Sequence, residues 1–218
     1  MAILAKKGLS KSEWDAYAEW ENNTGCPVSL FSATWTVPPH PKKINSQTIY
    51  LFIGIQDRQK GVILQPVLQW GRSCYGGEPN SWSVASYYVE KKNKRIKDVS
   101  QFVEVQPGDE LVGVITRIDN SYPYHYTSEF RGIQGTSLPI KSTRAFPWCE
   151  VTLETHNLTY CTEYPDTTFT SFSEIKIKTD NMNPTLNWRK EVVVNNCGLN
   201  VDVKSNSSTQ GIVDIYYR

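Results

Sequence analysis

The stretch Gly61–Gly71, GVILQPVLQWG, is the most apolar continuous run in the chain, and the fold prediction starts from it. Glycines bound the run, it is rich in Val, Ile and Leu, and it is short for a helix, so it predicts a buried strand. Gln65 places an amide inside that run, and burying an amide costs roughly 1–3 kcal/mol unless it is hydrogen-bonded. Pro66 has no N–H to donate, so we expect the strand to be bulged or to lie at a sheet edge there. Two interpretations of Gln65 stay open: a structural amide tied to a neighbouring loop, or a side chain directed into a cleft.

Strand signals recur along the rest of the chain at fairly even spacing. Phe31–Val37 alternates and is β-branched, and Gln47–Ile55 is a second apolar strand that we expect to form a hairpin with Gly61–Gly71. About a dozen short strands and no convincing long helix predict an all-β fold, an antiparallel β-sandwich or jelly roll. No repeat, linker or low-complexity segment divides the chain, so we interpret residues 1–218 as a single domain. Residues 1–24 are expected to form an N-terminal arm, and residues 181–218 to add C-terminal extension strands.

Two segments are expected to lie outside this pattern. Leu9–Glu21, LSKSEWDAYAEWE, has Trp14, Tyr17 and Trp20 at helical spacing, which predicts a short helix or an irregular arm lying on the body. Lys91–Asp98, KKNKRIKD, is interpreted as a solvated basic turn.

Composition narrows the classes of partner. A formal net charge of +1 leaves no electrostatic footprint for nucleic acid or an anionic membrane, and no apolar run approaches the length of a membrane span. Seven Trp and twelve Tyr suit either a thick core or a groove that holds peptides or sugars against ring faces. Met1–Lys7, MAILAKK, is not interpreted as a signal peptide, and localisation is left open.

Cysteine spacing and glycosylation sequons bear on the compartment. The five cysteines form no CxxC pair, which argues against a zinc site. Cys149 and Cys161 are placed to face each other across a hairpin, but the odd number of cysteines favours free thiols. Asn-x-Ser/Thr sequons begin at Asn22, Asn157 and Asn206, and such short patterns also arise by chance.

One late strand carries two carboxylates on a single face. Alternation in EVTLET places Glu150, Thr152 and Glu154 on one side and the intervening aliphatic residues on the other. The plain interpretation is a solvent-exposed face with two ordinary glutamates. The three histidines are single and scattered, so no metal site is expected, and no motif indicates a cofactor.

The order of several short motifs resembles that of a known family. The segments SATWTVP, YLFIGIQD, GVILQPV, QPGDEL, CEVTLE and FSEIKIKT follow one another as in the glutamic peptidases (the eqolisin or G1 family). That resemblance implies a concanavalin-A-like β-sandwich and an acid endopeptidase that acts on peptide or protein substrates. The chain departs from the family pattern at SVASYYV, which replaces a WYEWYP-type strand that lines the cleft.

The resemblance also implies site residues. The catalytic glutamine of the family falls on Gln65 and the catalytic glutamate on Glu154, while Glu150 matches the preceding glutamate of the motif. Trp82, Tyr87 and Tyr88, with Glu150, are then expected to bind substrate along the groove. In this hypothesis the glutamate activates a water and the amide stabilises the oxyanion.

Other functions remain open on the same fold. The main alternative is a non-catalytic, lectin-like module in which exposed Trp and Tyr rings stack on sugars. A storage or defence protein with no small-molecule site is a third possibility.

Overall fold

The computed structural model describes residues 14–90, 95–180, 182–193 and 195–218. This part of the chain contains fifteen strands and a single 3-10 turn, Cys161–Glu163. The strands are β1 (Trp14–Glu21), β2 (Val28–Thr36), β3 (Thr48–Gln56), β4 (Val62–Trp70), β5 (Trp82–Glu90), β6 (Arg95–Val99), β7 (Val103–Val105), β8 (Glu110–Arg117), β9 (Tyr124–Phe130), β10 (Leu138–Ser142), β11 (Trp148–His156), β12 (Phe169–Thr179), β13 (Arg189–Val192), β14 (Asn200–Ser205) and β15 (Gly211–Tyr216).

The strands form two antiparallel sheets. The first has the order β13-β1-β11-β3-β4-β5-β6, with β7 also paired to β5, and the second has the order β10-β9-β8-β2-β12-β15-β14. The predicted all-β sandwich is therefore confirmed, and so is the predicted hairpin between β3 and β4. The assignment to a concanavalin-A-like sandwich stays a prediction.

The core lies between the two sheets because one face of each strand is apolar. In β3 the alternate residues Ile49, Leu51, Ile53 and Ile55 are fully buried and join a single large cluster with side chains of the second sheet. The opposite face of the first sheet, called here the outer face, carries the residues between them. It holds a second, smaller apolar cluster that includes Phe52.

β4 lies in the middle of its sheet, contrary to the expectation for Pro66. It pairs with β5 along its whole length, Pro66 included. On the other side, Phe52 of β3 pairs with Val67 of β4, and Ile55 pairs with Leu64 in the same register. The missing N–H of Pro66 therefore interrupts the ladder locally, and the strand needs neither a bulge nor an edge position.

The N-terminal segment is a strand, which corrects the prediction of a helix or an irregular arm. Trp14–Glu21 pairs with β11 on one side and with β13 on the other. Ala16, Ala18 and Trp20 point into the core, a spacing of two that the aromatic residues at helical spacing obscured. Residues 9–13 of the predicted segment lie outside the described residues.

Two further segments differ from expectation. The predicted basic turn Lys91–Asp98 overlaps β6, which continues the first sheet beyond β5; residues 91–94 lie outside the described residues. The expected C-terminal extension supplies strands to both sheets, since β13 pairs with β1 while β14 and β15 complete the second sheet.

A disulfide joins the 3-10 turn after β11 to the segment that precedes β14. Cys161 and Cys197 are bonded, with Cα atoms 5.3 Å apart and a sequence separation of 36. The expectation of free thiols was therefore wrong for this pair, because the two cysteines are remote in sequence and only the fold brings them together. Cys26, Cys74 and Cys149 are free.

Candidate active site

Gln65 and Glu150 lie in the same row across the outer face of the first sheet. Gly54 pairs with Glu150 on one side, and the register between β3 and β4 places Gln65 opposite Gly54 on the other. The Cβ of Gln65 is 3.6 Å from where a Cβ on Gly54 would stand, which confirms that these positions are neighbours. The Cα atoms of Gln65 and Glu150 are therefore two strand spacings apart, about 10 Å.

Gly54 leaves this row without a side chain at its centre. Its φ is not in the left-handed region, so glycine is not required by the backbone conformation. A Cβ at this position would lie 2.8 Å from Cδ1 of Ile63, which leans over the glycine. A glycine inside a strand often marks such a close approach. Gly54 within the apolar strand was therefore a signal in the sequence, and we did not single it out as a site residue.

The structural interpretation of a buried amide suits Gln69 better than Gln65. Gln69 is fully buried, donates to the carbonyls of Gly71 at 2.7 Å and Gly76 at 3.0 Å, and accepts from the Tyr87 hydroxyl at 2.5 Å. It therefore ties the loop after β4 to the sheet. Oε1 of Gln65, by contrast, is buried and accepts no hydrogen bond from any described residue. An unsatisfied buried acceptor is costly, and a donor group of a bound water or ligand would remove that cost.

Glu150 is fully buried and has a second carboxylate beside it. Its neighbour on β1 is Glu19, which is 2% exposed. The Glu19 carboxylate forms ion pairs with Lys60 and Arg189. Both cations also lie over the Trp148 ring, with Lys60 Nζ 4.0 Å from the ring centroid. Two cations thus pair with the buried Glu19 and offset the charge that its burial would otherwise leave uncompensated.

Glu154 is on the same face as Gln65 but in a different row. It pairs with Tyr50 across β3, and four residues along β11 separate it from Glu150, about 13 Å at the usual strand rise. Its Oε1 is 2.8 Å from Nε2 of His156. Burial, and then the charge of Glu154, raise the pKa of Tyr50 above the usual value for a tyrosine.

The aromatic residues expected to line the groove divide between the two faces. Tyr87 is on the outer face, directly beside Gln65 across β4 and β5. Trp82 and Tyr88 belong to the core between the sheets and are 0% and 8% exposed. This position corrects the expectation that Trp82 and Tyr88 line the groove. Neighbouring residues in a strand point to opposite faces of the sheet, so Tyr87 and Tyr88 cannot lie on the same face.

The floor around the row of polar residues is apolar. The outer-face cluster packs Trp14, Phe52, Val67 and Ala85 around the row, and Trp14 meets Phe52 edge to face with ring centroids 5.9 Å apart. The amide of Gln65 is thus bordered by apolar side chains, whereas Glu150 has the carboxylate of Glu19 beside it. In such surroundings a hydrogen bond or charge acts more strongly than it does in water.

A surface cleft lies elsewhere on the molecule. It encloses about 420 Å³ and is lined by Asn23, Cys26, Arg58, Tyr124 and Arg144 among others, and by none of the expected site residues. Both arginines are already engaged, Arg58 with Glu21 and Arg144 with the buried Asp57. We therefore assign the candidate site to the outer face, on the basis of side-chain chemistry.

Solved structures of peptidases share this fold. Scytalido-glutamic peptidase with a peptide-based transition-state analogue superposes with a TM-score of 0.61 and 14% sequence identity, over 94% of this chain and 99% of that one. SCP-B, a member of the eqolisin family of peptidases in complex with the tripeptide Ala-Ile-His, gives 0.59 and 13%, over 95% and 99%. No family model matches the chain, and no curated protein matches it significantly. At this identity the likeness defines the class of fold, a β-sandwich shared with glutamic peptidases.

The described part of the chain holds no helix with the length and apolar character that a membrane crossing requires.

Proposed function

We propose that the chain is a peptidase that hydrolyses peptide bonds with an amide and a carboxyl group, Gln65 and a glutamate of β11. The observation that carries the proposal is the row Gln65–Gly54–Glu150, in which a buried amide oxygen without a partner and a buried carboxyl group flank a glycine. The shared fold with peptidases bound to a transition-state analogue and a tripeptide supports a peptide substrate.

The register favours Glu150 as the partner of Gln65. The resemblance in motif order assigned that role to Glu154, and this assignment stays a prediction. Glu154, however, lies about 13 Å further along the strand, and its carboxylate is hydrogen-bonded to His156. A base and an oxyanion donor must reach the same carbonyl group, which two residues in one row can do.

The proposed chemistry uses both groups in turn. The carboxylate of Glu150 removes a proton from a water molecule, which attacks the scissile carbonyl. Nε2 of Gln65 donates a hydrogen bond to the oxygen that becomes negative. The protonated Glu150 then gives its proton to the leaving amine, and this step favours acidic conditions because the carboxyl group must finish as an acid.

Access to this pair depends on Ile63. Glu150 is fully buried, and Cδ1 of Ile63 lies over the glycine between the two polar groups. Rotation of this flexible side chain is therefore part of substrate binding in the proposal.

The test compares two glutamates on one strand face. Digestion of a denatured protein at acidic and neutral pH is measured for wild type, Glu150→Gln and Glu154→Gln, with thermal unfolding as the control for folding. Loss of a general base lowers the rate by about 10²–10⁴-fold, so Glu150→Gln is expected to be nearly inactive, and Glu154→Gln is expected to stay within a few-fold of wild type. The reverse result returns the role to Glu154. Full activity in both folded variants excludes the glutamic mechanism.

The lectin-like alternative has no specific observation in its favour. It requires exposed Trp and Tyr rings, and Trp82 and Tyr88, two of the rings expected to line the groove, are in the core.

A further inference from the structure

The three sequons differ sharply in their structural surroundings. Asn22 is 6% exposed, and its Nδ2 donates to the Cys26 carbonyl at 2.6 Å. Its Oδ1 accepts from the backbone N–H and the hydroxyl of Thr24, at 3.1 and 2.7 Å. A sugar on this Nδ2 would compete with the 2.6 Å bond to Cys26, and Asn22 presents little of its side chain to solvent.

The other two sequons are open to solvent. Asn157 is exposed and begins the turn that follows β11, with a φ of 58°, a left-handed conformation that asparagine tolerates. Its Nδ2 makes only a 3.5 Å contact with the carbonyl of Ser46, at the outer limit of a hydrogen bond. Asn206 is exposed in the turn between β14 and β15. Neither amide is needed to hold its turn together.

The disulfide supplies an independent indication of compartment. Cys161 follows the Asn157 sequon closely, and it is bonded to Cys197. Disulfides form and persist in oxidising compartments and are rare in the cytosol. N-glycosylation at Asn-x-Ser/Thr also marks surface loops of proteins that pass through such compartments. The bond and the exposed sequons therefore point to the same cellular environment.

We propose that Asn157 and Asn206 are N-glycosylation sites and that Asn22 is not. The donor is an oligosaccharide linked to a polyprenyl diphosphate. The asparagine Nδ2 forms a bond to C1 of the first sugar while the bond from C1 to the phosphate oxygen breaks. The diphosphate leaves with that electron pair, and the amide proton passes to a base of the transferase.

Both sites lie away from the row of Gln65 and Glu150. The Asn157 site follows the end of β11 at His156, and the Asn206 site is on the second sheet. The assignment therefore does not depend on the proposed peptidase activity.

The experiment translates the full chain behind a cleavable secretion leader in the presence of endoplasmic-reticulum microsomes. Glycans are counted from gel mobility before and after treatment with peptide:N-glycosidase, which converts each modified asparagine to aspartate for location by mass spectrometry. The count is made on protein in which the Cys161–Cys197 bond has formed. We expect two glycans, one fewer in each of Asn157→Gln and Asn206→Gln, and no change in Asn22→Gln.

A second pair of variants keeps the asparagines and removes only the acceptor motif. Thr159→Ala and Ser208→Ala are expected to lose the same glycans as the corresponding asparagine variants. Disulfide-bonded protein that carries no glycan, or a glycan on Asn22, overturns the proposal. Modification of only one of the two exposed asparagines overturns the assignment of the other.

Discussion

Replacing Gly54 by alanine adds one methyl group at the centre of the candidate site. The new Cβ would stand 2.8 Å from Cδ1 and 3.2 Å from Cγ1 of Ile63. Gly61 offers a matched control in the turn before β4, because a Cβ there would meet nothing closer than Nη1 of Arg144, at 3.6 Å. Neither glycine has a φ in the left-handed region, so the two replacements differ mainly in the space available.

The expected magnitude follows from this difference in space. Replacing a glycine by alanine at a compatible position stabilises a protein by about 0.4–1 kcal/mol through the unfolded chain. Both variants share that gain. Overpacking costs about 1–3 kcal/mol, and the flexible end of Ile63 places Gly54→Ala at the lower end of that range. We expect Gly54→Ala to be less stable than Gly61→Ala by about 1–2 kcal/mol.

Denaturant unfolding of both variants measures this difference in stability. Thermal unfolding should show the same difference as a shift of the midpoint by about 2–4 °C per kcal/mol for a chain of this size. Ile63→Val removes Cδ1 and costs about 0.5–1.5 kcal/mol in the wild type. In the Gly54→Ala background it should cost less, because it also relieves the contact, and the double-mutant cycle isolates that coupling.

Equal stability of the two alanine variants would refute the packing described around Gly54. The same methyl group separates Gln65 from Glu150, so the proposed function adds a second expectation: the peptidase activity of Gly54→Ala should stay low even when Ile63→Val relieves the contact with the new methyl group. Recovery of full activity in the double variant would show that the row does not act as a unit.

Three further predictions concern stability. Cys197→Ser opens a loop of 36 residues and should cost about 3–4 kcal/mol; reduction of the wild type before denaturant unfolding should give the same loss. Asp57 is buried and accepts hydrogen bonds from two backbone N–H groups and from Arg144. Asp57→Ala should therefore lower the free energy of unfolding by about 1–3 kcal/mol. Arg144→Ala removes a half-exposed cation and should lower it by less than about 1 kcal/mol. Hydrogen bonds, first of all from Ser121, lower the pKa of Asp119 to about 2, below its unfolded value of about 3.9. The stabilisation is therefore present above that unfolded value and is lost as the pH falls toward the folded one: Asp119→Asn should lower the thermal midpoint at pH 6, and the difference should vanish near pH 2.

Much of the fold could be predicted from local patterns. Strands β3 and β4 were predicted because aliphatic runs bounded by turn residues are characteristic of buried strands, and EVTLET showed its two faces by simple alternation. β1 was missed because Trp14, Tyr17 and Trp20 also fit a helical period, and only pairing with β11 and β13 selects the strand. Trp82 and Tyr88 were assigned to the groove from the family resemblance, although strand parity separates Tyr88 from Tyr87.

Local patterns in the sequence were enough to predict the class of fold and the two strands that carry the amide and the carboxyl groups. They could not show which glutamate shares a row with Gln65, because the register between strands depends on long-range pairing through β3, and a shift of four residues is invisible in the motif. The same holds for the Cys161–Cys197 bond. Contacts between residues remote in the chain come from the packing of whole sheets, which no local pattern specifies.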